Sequence, residues 1–216
     1  MFVGHLALAL AGKRAGRRTS LVWFVTAVTL VDLIWPIFLL AGLERVRIDP
    51  GNTAFTPLAF DFYPWTHSLL MGVAWGAAFG ALARWRGVPG PTAVLLGALV
   101  VSHWLLDLVT HRPDLPIWPW PDGLHGLGLW HSIVGTIAIE GAIWVAAIVF
   151  FLGARRLRGL HGQVAFWSFV LVSTFLWIGG PFSPPPPDDR SLALFALMGW
   201  VTLPWAWWIE RTSDAR

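Results

Sequence analysis

The chain has 216 residues, of which 56% are hydrophobic and only 12% charged, where a typical soluble domain carries roughly 25% charged residues. It has no cysteine; disulfides, thiolate zinc sites, iron–sulfur clusters and cysteine nucleophiles are therefore excluded, and any metal must be held by His, Asp or Glu. The formal net charge of +3 first asks where the cations sit.

The apolar run from Phe2 to Ala11 is too short to span a bilayer. It also makes a poor signal peptide, because Lys13, Arg14, Arg17 and Arg18 follow it rather than precede it. Six later runs are long enough for membrane helices, at about 21 to 43, 66 to 83, 91 to 110, 132 to 153, 164 to 180 and 191 to 209. The expected fold is an all-α, polytopic membrane protein: one helical membrane domain over residues 1–216, with six spanning helices plus an N-terminal half-length helix.

Alternate connections differ in their cations. Eleven Lys and Arg fall in the set formed by residues 13–18, 84–86, 155–158 and the C-terminus, and four (Arg45, Arg47, Arg112, Arg190) in the other. The richer set marks the cytoplasmic side, which places the C-terminus and residues 154–162 inside and residues 44–65, 111–131 and 181–190 outside. Topology thus accounts for the basic balance. The partner is the lipid bilayer, and no nucleic acid is needed.

In the outer connections, Pro184 to Pro187 reads as a stiff extended corner. The stretch from Arg112 to Asp122 reads as an interfacial loop that sets Trp118 and Trp120 at headgroup level, and the glycine-rich stretch from Asp122 to Gly128, with His125, as a mobile loop. Trp65-Thr66-His67-Ser68 and Trp130-His131-Ser132 are locally similar, each just before a helix, and Thr66 or Ser68 is a candidate cap. His161 falls among the cytoplasmic arginines.

At 1.5 Å per residue, His5, Asp32, His67, His103, Asp107 and Glu140 lie about 12 to 24 Å above the basic ends of their segments. Six polar groups from five segments thus share one layer between the midplane and the outer surface. Ionisable residues near a helix centre cost about 2.5 to 3.5 kcal/mol each on insertion scales, so they face an interior or a wet cavity. The first segment starts at mid-membrane depth, so its free N–H groups also need partners.

In Ser102-His103-Trp-Leu-Leu-Asp107-Leu-Val-Thr-His111, spacings of four put His103, Asp107 and His111 on one helix face. Imidazole and carboxylate both suit zinc and related divalent ions, although Asp107 could equally pin the tautomer of His103. The candidate ligands are His5, Asp32, His67, His103, Asp107 and His111. His67 is also a candidate acid or base, Arg112 a candidate anion clamp, and Glu140 a candidate proton carrier or outer partner. The alternative is a transporter or proton pathway using the same cluster. It is disfavoured because the inner helix halves are almost free of polar residues. Bis-His haem ligation is a third reading.

Met-Phe-Val-Gly-His5, the early Asp32, Trp-Thr-His67-Ser-Leu-Leu, and Ser-His103-Trp-Leu-Leu-Asp107 followed by His111-Arg-Pro resemble the YdjM-like group of bacterial inner-membrane proteins, labelled metal-dependent hydrolases. The resemblance covers roughly residues 1 to 135. It implies a zinc-type hydrolase in the inner membrane, distantly like phospholipase C and single-strand nucleases, and it carries over onto His5, Asp32, His67, His103 and Asp107; the cation asymmetry puts the site on the periplasmic side. An anionic lipid or other phosphoester is the expected substrate. Where that group has Pro-Asp-x-Asp, this chain has Val31-Asp32-Leu33-Ile34, and where it has His-Arg-Gly this chain has Phe62-Tyr63-Pro64. The missing carboxylate, histidine and arginine count against a dinuclear site. Arg47-Ile-Asp-Pro-Gly51 and His111-Arg-Pro-Asp-Leu-Pro116 are also similar to bacterial membrane proteins called permeases.

The charge asymmetry makes a topological prediction. In intact cells a membrane-impermeant maleimide should label a cysteine placed at Ser183, and should reach one at Arg156 only after permeabilisation. The opposite pattern would invert the orientation.

Overall fold

The computed structural model describes residues 1–120 and 123–216. Pro121 and Asp122, the end of the loop expected from Arg112, lie outside the described residues. Nine α-helices carry the described fold: α1 (Val3–Ala15), α2 (Leu21–Leu40), α3 (Pro64–His67), α4 (Leu69–Trp85), α5 (Gly90–Thr110), α6 (Ile133–Ala154), α7 (Gly159–Gly179), α8 (Asp189–Ala196) and α9 (Thr202–Arg211).

Among the described residues, five helical segments are long and apolar enough to cross a membrane: α2, α5, α6, the run Gly159–Phe182 built on α7, and Asp189–Arg211, which joins α8 to α9 through a 3-10 stretch. The run expected at 66 to 83 forms α4, an apolar helix of 17 residues preceded by the separate turn α3. The break between them has a local cause: Ser68 is extended and its hydroxyl accepts the Met71 N–H, capping α4. Ser132 caps α6 in the same way after a short 3-10 turn at Leu129–His131. The two similar short motifs therefore encode the same local device, a tight turn followed by a serine cap.

Among the described residues there are also three antiparallel ribbons that apolar periodicity does not reveal. β1 (Arg45–Ile48) pairs with β2 (Leu58–Phe62), β3 (Leu115–Pro116) with β4 (Leu124–His125), and β5 (Arg155–Leu157) with β6 (Ser213–Ala215). His125 thus lies in a short strand rather than in a bare loop. The β5–β6 pair fixes the C-terminus beside the connection after α6. Close by, Glu210 receives Lys13 Nζ at 3.0 Å, Arg155 at 3.2 Å and the Leu21 N–H at 2.9 Å. Three of the cation-rich connections therefore meet at one end of the bundle.

α1 packs against α6 and α2, and α4 lies along α5. The second contact is made by glycines. A Cβ at Gly76 would stand 2.6 Å from the Gly97 carbonyl oxygen, and one at Gly97 would stand 2.8 Å from that of Gly76. Small residues at such spacing let two membrane helices approach closely. Because Gly97 is under two turns from His103, this contact also sets the position of the polar layer.

Gly97→Val should therefore destabilise the fold by about 1 to 3 kcal/mol, the usual cost of overpacking. Gly153→Ala, where an added methyl meets nothing within 4 Å, should be neutral or mildly stabilising. Thermal unfolding of the two variants in detergent checks the difference.

Candidate metal centre

Four helical elements deliver the polar layer. His5 comes from the first turns of α1, Asp32 from α2, His67 from the end of α3, and His103 and Asp107 from successive turns of α5. Pro36 sits inside α2 and has no N–H to offer the Asp32 carbonyl one turn earlier, so the helical ladder is interrupted at the site.

The structure brings these five residues together in two donor groups that share His103: His5, His103 and Asp107, and Asp32, His67 and His103. His5 Nε2 is 3.0 Å from Asp107 Oδ1, and its ring stacks on that of His103 with centroids 3.7 Å apart and planes 6° from parallel. Face-to-face stacking leaves no space for a haem between the two rings. The Met1 ammonium also pairs with Asp107.

The tautomers follow from the outer contacts. His103 Nδ1 lies 2.8 Å from the Val28 carbonyl oxygen, which can only accept, so Nδ1 carries the hydrogen. A neutral His103 then turns a bare Nε2 toward Asp107 Oδ2 at 3.1 Å and Asp32 Oδ1 at 3.5 Å. That buried nitrogen has no hydrogen-bond partner among the described residues. His67 Nε2 faces the same Asp32 oxygen at 3.4 Å.

Lone pairs aimed at carboxylate oxygens in a dry interior repel unless a cation or a proton lies between them. A zinc ion with ligands at about 2.0 to 2.1 Å in a tetrahedron sets its donor atoms about 3.3 Å apart, close to the separations around Asp32. His5, His67, His103 and Asp107 are nearly closed off, whereas Asp32 keeps 42% of its side-chain surface accessible. The group therefore opens at Asp32. A cleft of about 460 Å³ between α2 and α8, lined by Leu39, Leu40, Asp189, Arg190, Ala193 and Leu194, lies elsewhere.

Three candidates are engaged outside the donor groups. α5 ends at Thr110 and His111 is extended, with ψ 147°, so the four-residue spacing does not continue. His111 Nδ1 meets Asp114 Oδ1 at 2.9 Å and the Tyr63 hydroxyl at 3.4 Å, and burial pushes its pKa down. Arg112 Nε donates to Asp114 Oδ2 at 3.3 Å, so the expected anion clamp is held by an acid of this chain. Glu140 accepts the N–H groups of Phe2 at 2.6 Å and Gly4 at 2.9 Å, and the indole N–H of Trp177 at 3.0 Å. It supplies partners for N–H groups at the start of α1 that have none within the helix.

No family model, curated protein or solved structure matches this chain.

Glu44, which no sequence pattern singles out, joins the site from the loop after α2. Its buried carboxylate accepts the Thr66 N–H at 2.9 Å and the Thr66 hydroxyl at 2.8 Å, and burial pushes its pKa above the usual carboxylate range. Its one sequence signal is its place at the end of an apolar run.

The structural use of Glu140 is testable. Glu140→Gln turns an amide N–H toward the Trp177 N–H and should lower the unfolding temperature in detergent. Adding Trp177→Phe removes the opposing donor and should recover much of the loss. Equal destabilisation in the single and double variants would reject this assignment.

Proposed function

We propose that this protein is a membrane-embedded, metal-dependent hydrolase whose His67, His103 and Asp32 hold one divalent ion, with zinc the best fit. The observation that carries the reading is the buried, unpartnered Nε2 of His103, locked by Val28 behind it and faced by carboxylates in front. Three protein donors with an open position is the pattern of catalytic zinc sites, whereas structural sites close with four. When bound, such an ion acts as a Lewis acid and brings a coordinated water to a pKa of about 7. His5 and Asp107 form the neighbouring hydrogen-bonded pair, with Asp107 able to take a proton or serve as a further ligand.

The resemblance to YdjM-like metal-dependent hydrolases supports the same class. It favours a bacterial inner-membrane location; the apolar runs favour six spans beside the half-length α1, and the cation asymmetry a periplasmic site and a cytoplasmic C-terminus. A phosphoester, lipid-borne or periplasmic, is the substrate class we propose. Arg112, engaged with Asp114, does not serve as its clamp in this arrangement. The transporter reading requires a polar path onward through the bundle, and toward the arginine-rich end lie Leu6, Leu10, Phe24, Leu96 and Leu99 of the buried apolar core.

Elemental analysis of detergent-purified protein should find close to one zinc per chain in the wild type, and little in His103→Ala or Asp32→Asn. A wild type without stoichiometric metal would overturn the proposal. Where phosphoester hydrolysis is measured, chelation and His103→Ala should each abolish it, while His161→Ala should leave it intact.

A further inference from the structure

Thr66 precedes His67 on α3, and its side chain sits between two partners. Thr66 Oγ1 is 2.8 Å from Glu44 Oε2 and 2.7 Å from His67 Nδ1. A hydroxyl has one hydrogen. The carboxylate of Glu44 can only accept, so that hydrogen points to Glu44, and Thr66 Oγ1 must accept from His67. His67 Nδ1 therefore carries the ring hydrogen, and Nε2 presents its lone pair to Asp32. All three members of the chain are buried, at 2% exposure for Glu44, 1% for Thr66 and 7% for His67, so water is poorly placed to replace a lost link.

We infer that Glu44, acting through the Thr66 hydroxyl, is the positioning residue that fixes His67 in its metal-binding tautomer. This rests on the metal reading proposed above. The relay is directional because Glu44 uses both oxygens as acceptors: Oε1 takes the Thr66 N–H at 2.9 Å and Oε2 the hydroxyl. A glutamine offers one acceptor only. If it keeps the backbone N–H, its amide donates to Thr66, the hydroxyl turns to His67 Nδ1, and the ring hydrogen moves to Nε2. If it keeps the hydroxyl, the backbone N–H is left facing a donor.

The relay spans a long stretch of chain. Glu44 immediately precedes β1 and His67 lies five residues past β2, so the β1–β2 ribbon closes between them. The ribbon's base and the His67 tautomer are therefore set by the same carboxylate. A merely structural Glu44 would cap α3 through the Thr66 N–H alone, and that bond does not depend on the hydroxyl.

Cobalt(II) titration of the detergent-purified full-length chain, followed by visible absorption, separates the two roles. Outer-shell partners of metal ligands typically contribute about 10- to 100-fold in metal affinity. Thr66→Val keeps the backbone cap and removes the relay, so it should weaken cobalt binding by about that factor, and its unfolding temperature should fall because Glu44 Oε2 and His67 Nδ1 lose their shared partner. Thr66→Ser should bind within a few-fold of wild type, and Glu44→Gln should fall with Thr66→Val. If Thr66→Val does not fold, Thr66→Ala, smaller and equally unable to relay, takes its place. Wild-type affinity in the Thr66 variants lacking a hydroxyl would overturn the inference while leaving the metal centre standing. A wild type that binds no cobalt, with or without prior chelation, would remove the metal reading and this inference with it.

Discussion

Crowded lone pairs govern the centre of this molecule. His67 and His103 each have one ring nitrogen committed outward, to Thr66 and to Val28, and each turns the other nitrogen toward Asp32. In water such groups would be solvated separately. In a dry interior, unpaired polar atoms cost about 1 to 3 kcal/mol each, and a bare imidazole nitrogen beside a carboxylate adds repulsion. The arrangement is stable only with positive charge between the donors, and the surrounding fold holds them where that charge is shared.

Several features of the fold serve that end. The first turn of α1 leaves N–H groups without helical partners, and Glu140 on α6 takes up those of Phe2 and Gly4. With its start secured there, α1 delivers His5 against Asp107 and stacks it on His103. The glycine contact between α4 and α5 draws His67 and His103 toward one another from the other side, because α4 begins just after His67. Pro36 loosens α2 at the turn that carries Asp32. Apart from Pro36, these devices act away from the donors, and each secures an element that carries one or leads into one.

The apolar helices were legible in the sequence, because apolar run length is a property of single helices, although the run at 66 to 83 forms a shorter helix than the five that are long enough to cross a membrane. His5, Asp32, His67, His103 and Asp107 could be grouped by counting residues along those runs. His111 could not be placed, since the spacing argument assumes that α5 continues and it stops at Thr110, with Pro113 shortly after. Glu140 and Arg112 were visible as buried or nearby charges, but their partners, the α1 N–H groups and Asp114, are set by packing between distant segments. Glu44 was invisible for a related reason: an acid at the end of an apolar run is ordinary, and only the β1–β2 ribbon brings it back to Thr66. The ribbons themselves are too short for a periodic signal.

The asymmetry of the cluster bears on its chemistry. His5, His103 and Asp107 are closed in by α1, α5 and the core beneath them, while Asp32 alone keeps a large accessible surface. An ion held by His67, His103 and Asp32 would therefore be reached from the Asp32 side. The same asymmetry separates two tasks within one pocket. His67 and His103 both turn toward Asp32, whereas His5 meets Asp107 at 3.0 Å, beside the Met1 ammonium, and its Nδ1 lacks a partner among the described residues. On the metal-centre proposal, the first pair would hold the ion while the second stands beside it.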